Sequence, residues 1–500
     1  MSFGPPPSVF TQSALSADSA RKKRRRTTAI AAVALVVVAA LGVGGGLLYA
    51  EHDNSPAHAG PQAAAQAPDE VRETVEKLPR TPQGAMVADT SEDHLEKNVD
   101  DPRYAPGTWA TDKIFAKGVA KKITGYKLDS YGGEEAWTIK LDGHLCATTG
   151  HVTADGRTAV VVQPSKPEGS KTAGVCDEVL FLDLDTGKKL WRAKMPEATT
   201  AYVTNTNLTM TRGTVAVAWG RGSVAYGMAD GKQLWKSTNV SRCEDAGFAG
   251  GRGLLALVRC GAAPNAKYQV EKLDPRTGKT KWTYKVGAGI TTVYLPSSDP
   301  PVLAVGAGDS TVTDLITLDG TGKHLATVSL HGDRYDPMCG SRYSSSLLFG
   351  VVEACDGMVV GRTEVFVASK DEWKPDQEEN WITGFDLATG KALRKFDGRA
   401  GALVHPLRMS GDQLLIYRGS RDGISPAAVL SVDPGTGKET PFLLFNVPES
   451  DPGDDDLDNP EESDIIVEHG RVFFAKRQLY ADDKHPKYPV RVALGIGSGT

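Results

Sequence analysis

A short phrase, Asp-x-x-Thr-Gly-Lys or a close variant, returns along this chain at a nearly constant interval. That interval limits the possible folds more than any other feature. The copies read FLDLDTGKKLW (181–191), AYGMADGKQLW (225–235), KLDPRTGKTKW (272–282), TLDGTGKHLATV (317–328), GFDLATGKALRKF (384–396) and SVDPGTGKETPF (431–442). A looser first copy is GYKLDSYGGEEAW (125–137). The turn glycines Gly187, Gly231, Gly278, Gly322, Gly390 and Gly437 are spaced 44, 47, 44, 68 and 47 residues apart. A period near 45 residues suits one four-stranded blade of a β-propeller. The 68-residue gap needs an insertion, and residues 371–380 (DEWKPDQEEN) are the candidate.

The chemistry of the unit explains its shape. An apolar run such as Val179 to Asp183 is a strand, and the phrase after it is a hairpin turn. Gly supplies a positive φ, and Asp can accept hydrogen bonds from the turn backbone. The next strand carries Trp137, Trp191, Trp235 or Trp282, a flat ring that can pack between neighbouring blades. Later copies have Ala326, Arg394 and Pro441 there, so those blades should dock less regularly.

These units resemble the pyrroloquinoline-quinone (PQQ)-type propeller repeat, related to WD40- and YVTN-like repeats. The resemblance covers roughly residues 108–497. Its family includes quinoprotein dehydrogenases and the propeller lipoprotein of outer-membrane barrel assembly. It implies an all-β propeller but says little about function. Third strands are expected near 122–128, 179–183, 224–228, 269–273, 313–318, 382–386, 427–432 and 490–494, which gives eight blades, with seven as the alternative. The last has no fourth strand after it, and a segment around 108–115 is expected to complete that blade.

Before the repeats, residues 29–50 form an uncharged run of 22 residues, long enough to span a bilayer as a helix. Six basic residues, Arg21 to Arg26, precede it, which places the N-terminus inside and the rest outside. Cleavage near Ala57-His58-Ala59 is the alternative. The expected organisation is a disordered basic cytoplasmic tail (1–28), a transmembrane helix (29–50), an extracellular stalk (51–107) and the propeller (108–497). A short helix is expected at 71–78. Residues 1–49 hold six of the 57 basic and one of the 62 acidic side chains, which leaves the remainder at −10. That sign argues against nucleic acid as a partner.

Six cysteines all lie beyond the apolar run, and an even number outside a membrane points to disulfides. Position within the repeats predicts Cys146–Cys176, Cys243–Cys260 and Cys339–Cys355, with the last two pairs stapling the open ends of first hairpins. Each should contribute about 3 kcal/mol in the chain-entropy model. No C-x-x-C spacing supports metal or redox chemistry instead.

No catalytic set emerges. The quinoprotein resemblance implies adjacent cysteines and a Glu, Asn and Asp set for Ca²⁺; no two cysteines are adjacent, and the set maps onto no residues here. An EF-hand loop starting at Asp454 would need glycine at 459 and glutamate at 465, where the chain has Asn459 and Ile465. The acidic run 451–462 therefore reads as a solvated loop. His144 and His151 flank a strand and face opposite ways. Neither H-E-x-x-H nor G-x-S-x-G occurs. The expectation is a binding or scaffold module for a protein, peptide or glycan, without a cofactor. A PQQ- and Ca²⁺-dependent enzyme and a sensor ectodomain are the alternatives.

Overall fold

The structure, a computed structural model, describes residues 66–498 except 93–102, 129–132, 165–173, 239–242, 262–264, 309–310, 332–333, 341–351, 375–376, 399–401, 421–424, 448–456 and 481–488. Among the described residues no helix is long and apolar enough to cross a membrane. The run at 29–50 and the tail before it lie outside the described residues.

Eight four-stranded antiparallel sheets form the blades of a propeller. Blade 1 runs from its inner strand Thr108–Ala110 through Ile114–Val119 and Lys122–Lys127 to its rim strand Glu135–Lys140. Blades 2 to 7 begin at Leu145–Thr148, Asn207–Thr211, Cys243–Ala249, Ile290–Ser298, Met358–Val360 and Val404–Ser410. Their rim strands are Lys188–Lys194, Gln233–Thr238, Thr280–Lys285, His324–Ser329, Ala392–Asp397 and Glu439–Phe445. Blade 8 holds Ser463–Glu468, Arg471–Lys476 and Val490–Ser498, with Gly84–Glu92 as its rim. All eight expected third strands are present.

Gly84–Glu92 corrects two expectations. It pairs antiparallel with Val490–Ser498, Ala88 opposite Gly495 and Thr90 opposite Ala493, and so closes the ring. Residues 108–115 instead build the inner hairpin of blade 1, where Trp109 and Phe115 are fully buried. The closing strand lies inside the expected stalk because its burial comes almost entirely from its partner: only Ala88, Thr90 and Glu92 are buried along it. Residues 71–78 are extended rather than helical, with Val71 bridged to Thr153.

The repeat phrase interlocks the blades. Asp274 accepts hydrogen bonds from the N–H (3.1 Å) and hydroxyl (3.0 Å) of Thr277, and Gly278 takes φ +67°. Each rim Trp lies on the turn glycine of the next blade and donates to a carbonyl there. Trp137 bonds Leu184 (3.1 Å), Trp191 bonds Met228 (2.8 Å), Trp235 bonds Pro275 (2.8 Å) and Trp282 bonds Gly320 (3.0 Å). Their rings cover Gly187, Gly231, Gly278 and Gly322 so closely that a Cβ would collide. Gly390 meets Thr327 and Ala326 instead. Arg394 keeps the interlock without a ring, donating to Gly435 O at 2.8 Å beside Gly437.

The insertion at 371–380 is a hairpin, Glu372–Lys374 with Gln377–Glu379, between the second and third strands of blade 6. The rest of the extra length lies in the connection between blades 5 and 6, residues 330–357. All three expected disulfides form. Cys243 and Cys260 face each other in register at the open end of a first hairpin. Cys339–Cys355 does not staple one: the long connection delays blade 6, whose first strand starts only at Met358, and the pair ties that connection to itself.

Removing one interlock should weaken the ring. Trp235→Ala is expected to cost about 3 kcal/mol, and Gly278→Ala about 1–2 kcal/mol from its left-handed backbone alone. Urea unfolding of the two variants checks this; wild-type midpoints would mean that the ring does not rely on the interlock.

Candidate functional site: the axis and the connector face

Strand direction alternates within a blade, so its two ends differ. The 1–2 and 3–4 turns lie on one face, here the turn face. The 2–3 loops and blade-to-blade connections lie on the other, the connector face.

An N-terminal strap seals the axis at the turn face. Gly213 of blade 3 donates to Asp69 O (3.0 Å), and the strap backbone pairs with Val152 and Ala154 of blade 2. Arg72 reaches Ala110 O (2.6 Å) in blade 1 and Glu468 (3.4 Å) in blade 8. Glu73 pairs with Arg252 (2.9 Å) of blade 4 and Arg362 (3.6 Å) of blade 6. Glu76, 3% exposed, accepts from Arg408 of blade 7 and from the N–H groups of His469 (2.9 Å) and Gly470 (2.7 Å) of blade 8. Blades 3 and 7 face each other across an eight-blade ring, so the strap spans its mouth.

A second segment, residues 352–356, enters the axis itself. Leu295 of blade 5 donates to Val352 O at 2.7 Å. Glu353 accepts from Gly250 N (3.2 Å) of blade 4 and pairs with His151 (3.0 Å) of blade 2. Asp356 pairs with Arg477 (3.2 Å) of blade 8. Arg477 also binds Asp464 (2.8 Å), and Asp464 accepts from Thr108 (2.6 Å). Beside them Lys117, fully buried, donates to Ala105 O and Thr108 Oγ1. Burial pushes its ammonium down to about 8; Asp464 pulls it back up, and Arg477 pushes it further down. A cavity of about 400 Å³ remains along the axis.

That cavity does not fit PQQ. The quinone is a flat tricarboxylate, which calls for cations and a flat apolar surface. The lining contributes the carboxylates Glu353, Asp356 and Asp464; among the described residues it contains no Phe, Tyr or Trp, and its imidazole, His151, is held by Glu353. Arg477 and Lys117 are already engaged by Asp464, and Arg477 by Asp356.

The connector face carries the elaborations. All three disulfides lie at this end of the strands, as do the described parts of the 371–380 hairpin and of the long connections, apart from residues 352–356. Tyr202 and Tyr480, 46% and 57% exposed, project from this face. A cavity of about 280 Å³ opens between blades 6 and 7, lined by Asp336, Lys370, His405, Tyr417 and Asp458 among others. The acidic run is less solvated than expected where it is described: Leu457 is buried, Asp458 accepts from Tyr417 (2.7 Å), and Arg477 binds the carbonyls of Pro460 and Glu461 (both 2.9 Å).

The tryptophans and turn glycines singled out by the repeat thus lie at blade interfaces, away from the axis. The axial residues Glu76, Lys117, Asp464, Arg477, His151 and Glu353 carry no repeat signature. Only Lys117 left a mark in the sequence, as a charge inside the apolar strand IFAKGV.

Known proteins share the repeat. A family model described as outer membrane protein assembly factor BamB matches residues 101–242, 176–350 and 220–395, together more than half of the chain. No curated protein sequence matches. Among solved structures, BamB from Moraxella catarrhalis aligns at 13% identity, covering 83% of this chain and 100% of that one, with TM-score 0.43. A europium-containing methanol dehydrogenase aligns at 11% identity over 83% and 93%, with TM-score 0.44. Hsv2 of Kluyveromyces lactis aligns at 12% over 69% and 100%, with TM-score 0.39.

The buried Lys117 gives a pH signature. Its folded-state pKa is about 8 against an ordinary 10.5, so between those values the unfolded chain holds more protons. Its contribution therefore raises stability as pH climbs from 8 towards 10.5. Lys117→Met should abolish that rise in urea midpoints; an unchanged pH profile would mean that Lys117 keeps its ordinary pKa.

Proposed function

Because the chain belongs to the BamB-type family of PQQ-like repeat propellers, we propose that it is a non-catalytic binding module. Residues 29–50 hold it at a membrane, with the propeller outside. Its partner is a protein, peptide or glycan recognised through the connector face. One observation carries this reading: the chain takes up much of its own axis, and the cavity left there is lined by carboxylates. The strap and residues 352–356 occupy the place where a propeller would hold a cofactor, and the contacts left for a partner are peripheral. Loops on a rigid scaffold are where recognition concentrates. The two exposed tyrosines of the connector face suit such a role, since Tyr is enriched in interface cores.

Two measurements test this. A photo-crosslinking residue at position 202 or 480 is expected to capture a partner in cells, and one at position 279 on the turn face is not. Capture only from 279 would reverse the assignment. Calorimetric titration with PQQ, with and without Ca²⁺, is expected to give no saturable heat. Micromolar or tighter binding would restore the quinoprotein reading.

A further inference from the structure

The strap sorts its side chains by direction. Its carboxylates are held by the ring: Glu70 pairs with Arg212 (3.0 Å), Glu73 with Arg252 and Arg362, and Glu76 with Arg408. Beyond Glu76 the chain reads Lys77-Leu78-Pro79-Arg80 and runs outward to the closing strand of blade 8. Lys77 and Arg80 are exposed and form no ion pair among the described residues. Val75 and Leu78 are 63% and 57% exposed, more than any other large aliphatic side chain described. Val75 lies over Gly411, in the 1–2 turn of blade 7. Two exposed aliphatic groups thus alternate with two unpaired cations on the turn face.

That alternation suits a membrane interface, where aliphatic groups enter the acyl boundary and cations meet anionic headgroups. The strap starts on the turn face, and residues 51–66 separate it from the uncharged run at 29–50. Extended, those residues reach at most about 55 Å, so a bilayer holding the run lies within that distance of the strap. The connector face is the acidic one. Two stretches joined to the strands at that face carry the excess: 371–380 has five acidic residues and one basic, and 451–462 has seven acidic and none basic. An anionic surface repels such a face. Asp412, beside Gly411, opposes docking of the turn face, and the strap's two cations outnumber it.

We propose that the turn face rests on an anionic lipid surface through Val75, Lys77, Leu78 and Arg80. The tether makes this contact intramolecular, so a small patch is enough to hold it. The proposal rests on the reading of 29–50 as a membrane anchor and goes beyond it by fixing an orientation: the turn face lies against the bilayer and the connector face is presented away from it, to the partner.

Fluorescence of the full chain, reconstituted in vesicles of phosphatidylcholine and phosphatidylglycerol, tests this. All six native cysteines are in disulfides, so one introduced cysteine carries an environment-sensitive label alone. Placed by Thr81→Cys, an exposed strap position, the label should shift its emission to the blue and be quenched by brominated acyl chains. Placed by Tyr480→Cys on the connector face, it should do neither. Each unpaired cation should favour the docked state about fivefold. Lys77→Gln together with Arg80→Gln should therefore lower the docked-to-free ratio about twenty-fivefold, with wild-type circular dichroism, and vesicles of phosphatidylcholine alone should release the wild type likewise. Quenching at neither position, quenching at 480 rather than 81, or a double variant that docks like wild type would overturn the proposal. Flotation with the vesicles after a high-salt wash reports the anchor separately: a chain that floats without quenching at 81 keeps the anchor and loses the docking, and a chain that does not float loses both.

Discussion

Antiparallel pairing of Gly84–Glu92 with Val490–Ser498 turns eight sheets into a ring. A blade buries its two faces only against its neighbours, so an open ring would leave one face of blade 1 and one of blade 8 in water. At the seam Phe115 and Phe473 stack with centroids 4.7 Å apart, and Ala88, Ala110 and Ala493 pack around them. The closing strand joins segments from opposite ends of the propeller sequence, so the entropy of closing that loop is offset only when the whole ring is in place. The strap extends this closure inward. Its ion pairs reach the inner turns of blades on both sides of the axis, which couples the seam to the rest of the ring.

Closure of this kind has a functional consequence. A propeller with an open axis offers a deep, shared pocket to which every blade contributes. Here the turn-face mouth is taken by Arg72, Glu73 and Glu76, and the axis by residues 352–356. The polar groups that converge there satisfy one another: Glu353 with His151 and Gly250 N, Asp356 with Arg477, and Asp464 with Arg477 and Thr108. Such a network fixes the relative positions of blades 1, 2, 4 and 8 and, on the function proposed above, leaves recognition to the loops.

The fold was legible because each repeat states its own local chemistry: a strand, an Asp-capped turn with positive φ, and a ring to lay on the next turn. Those signals need no distant partner. The closing strand and the strap were not legible for the opposite reason. Gly84–Glu92 has little hydrophobic pattern of its own, and Glu76 acquires meaning only beside Arg408 and Gly470, far away in sequence. The same holds for Cys339–Cys355. Position within the repeats predicts its pairing but not its place, because much of the extra length of the gap lies in the connection before blade 6 and not in 371–380.

The loss of regularity along the chain follows a physical division of labour. Blades 1 to 4 each lay a tryptophan on the following turn, and such a ring tolerates little change in blade spacing. From blade 5 onward the interlock relaxes to Ala326 and then to the arginine bond of Arg394. The longest connection, the inserted hairpin and the acidic segment all fall in this second half. A small side chain or a flexible guanidinium can accommodate the displacement that such additions impose, whereas an indole packed on a glycine cannot. The regular half therefore sets the geometry of the ring. The relaxed half can vary its loops without breaking the contacts between blades.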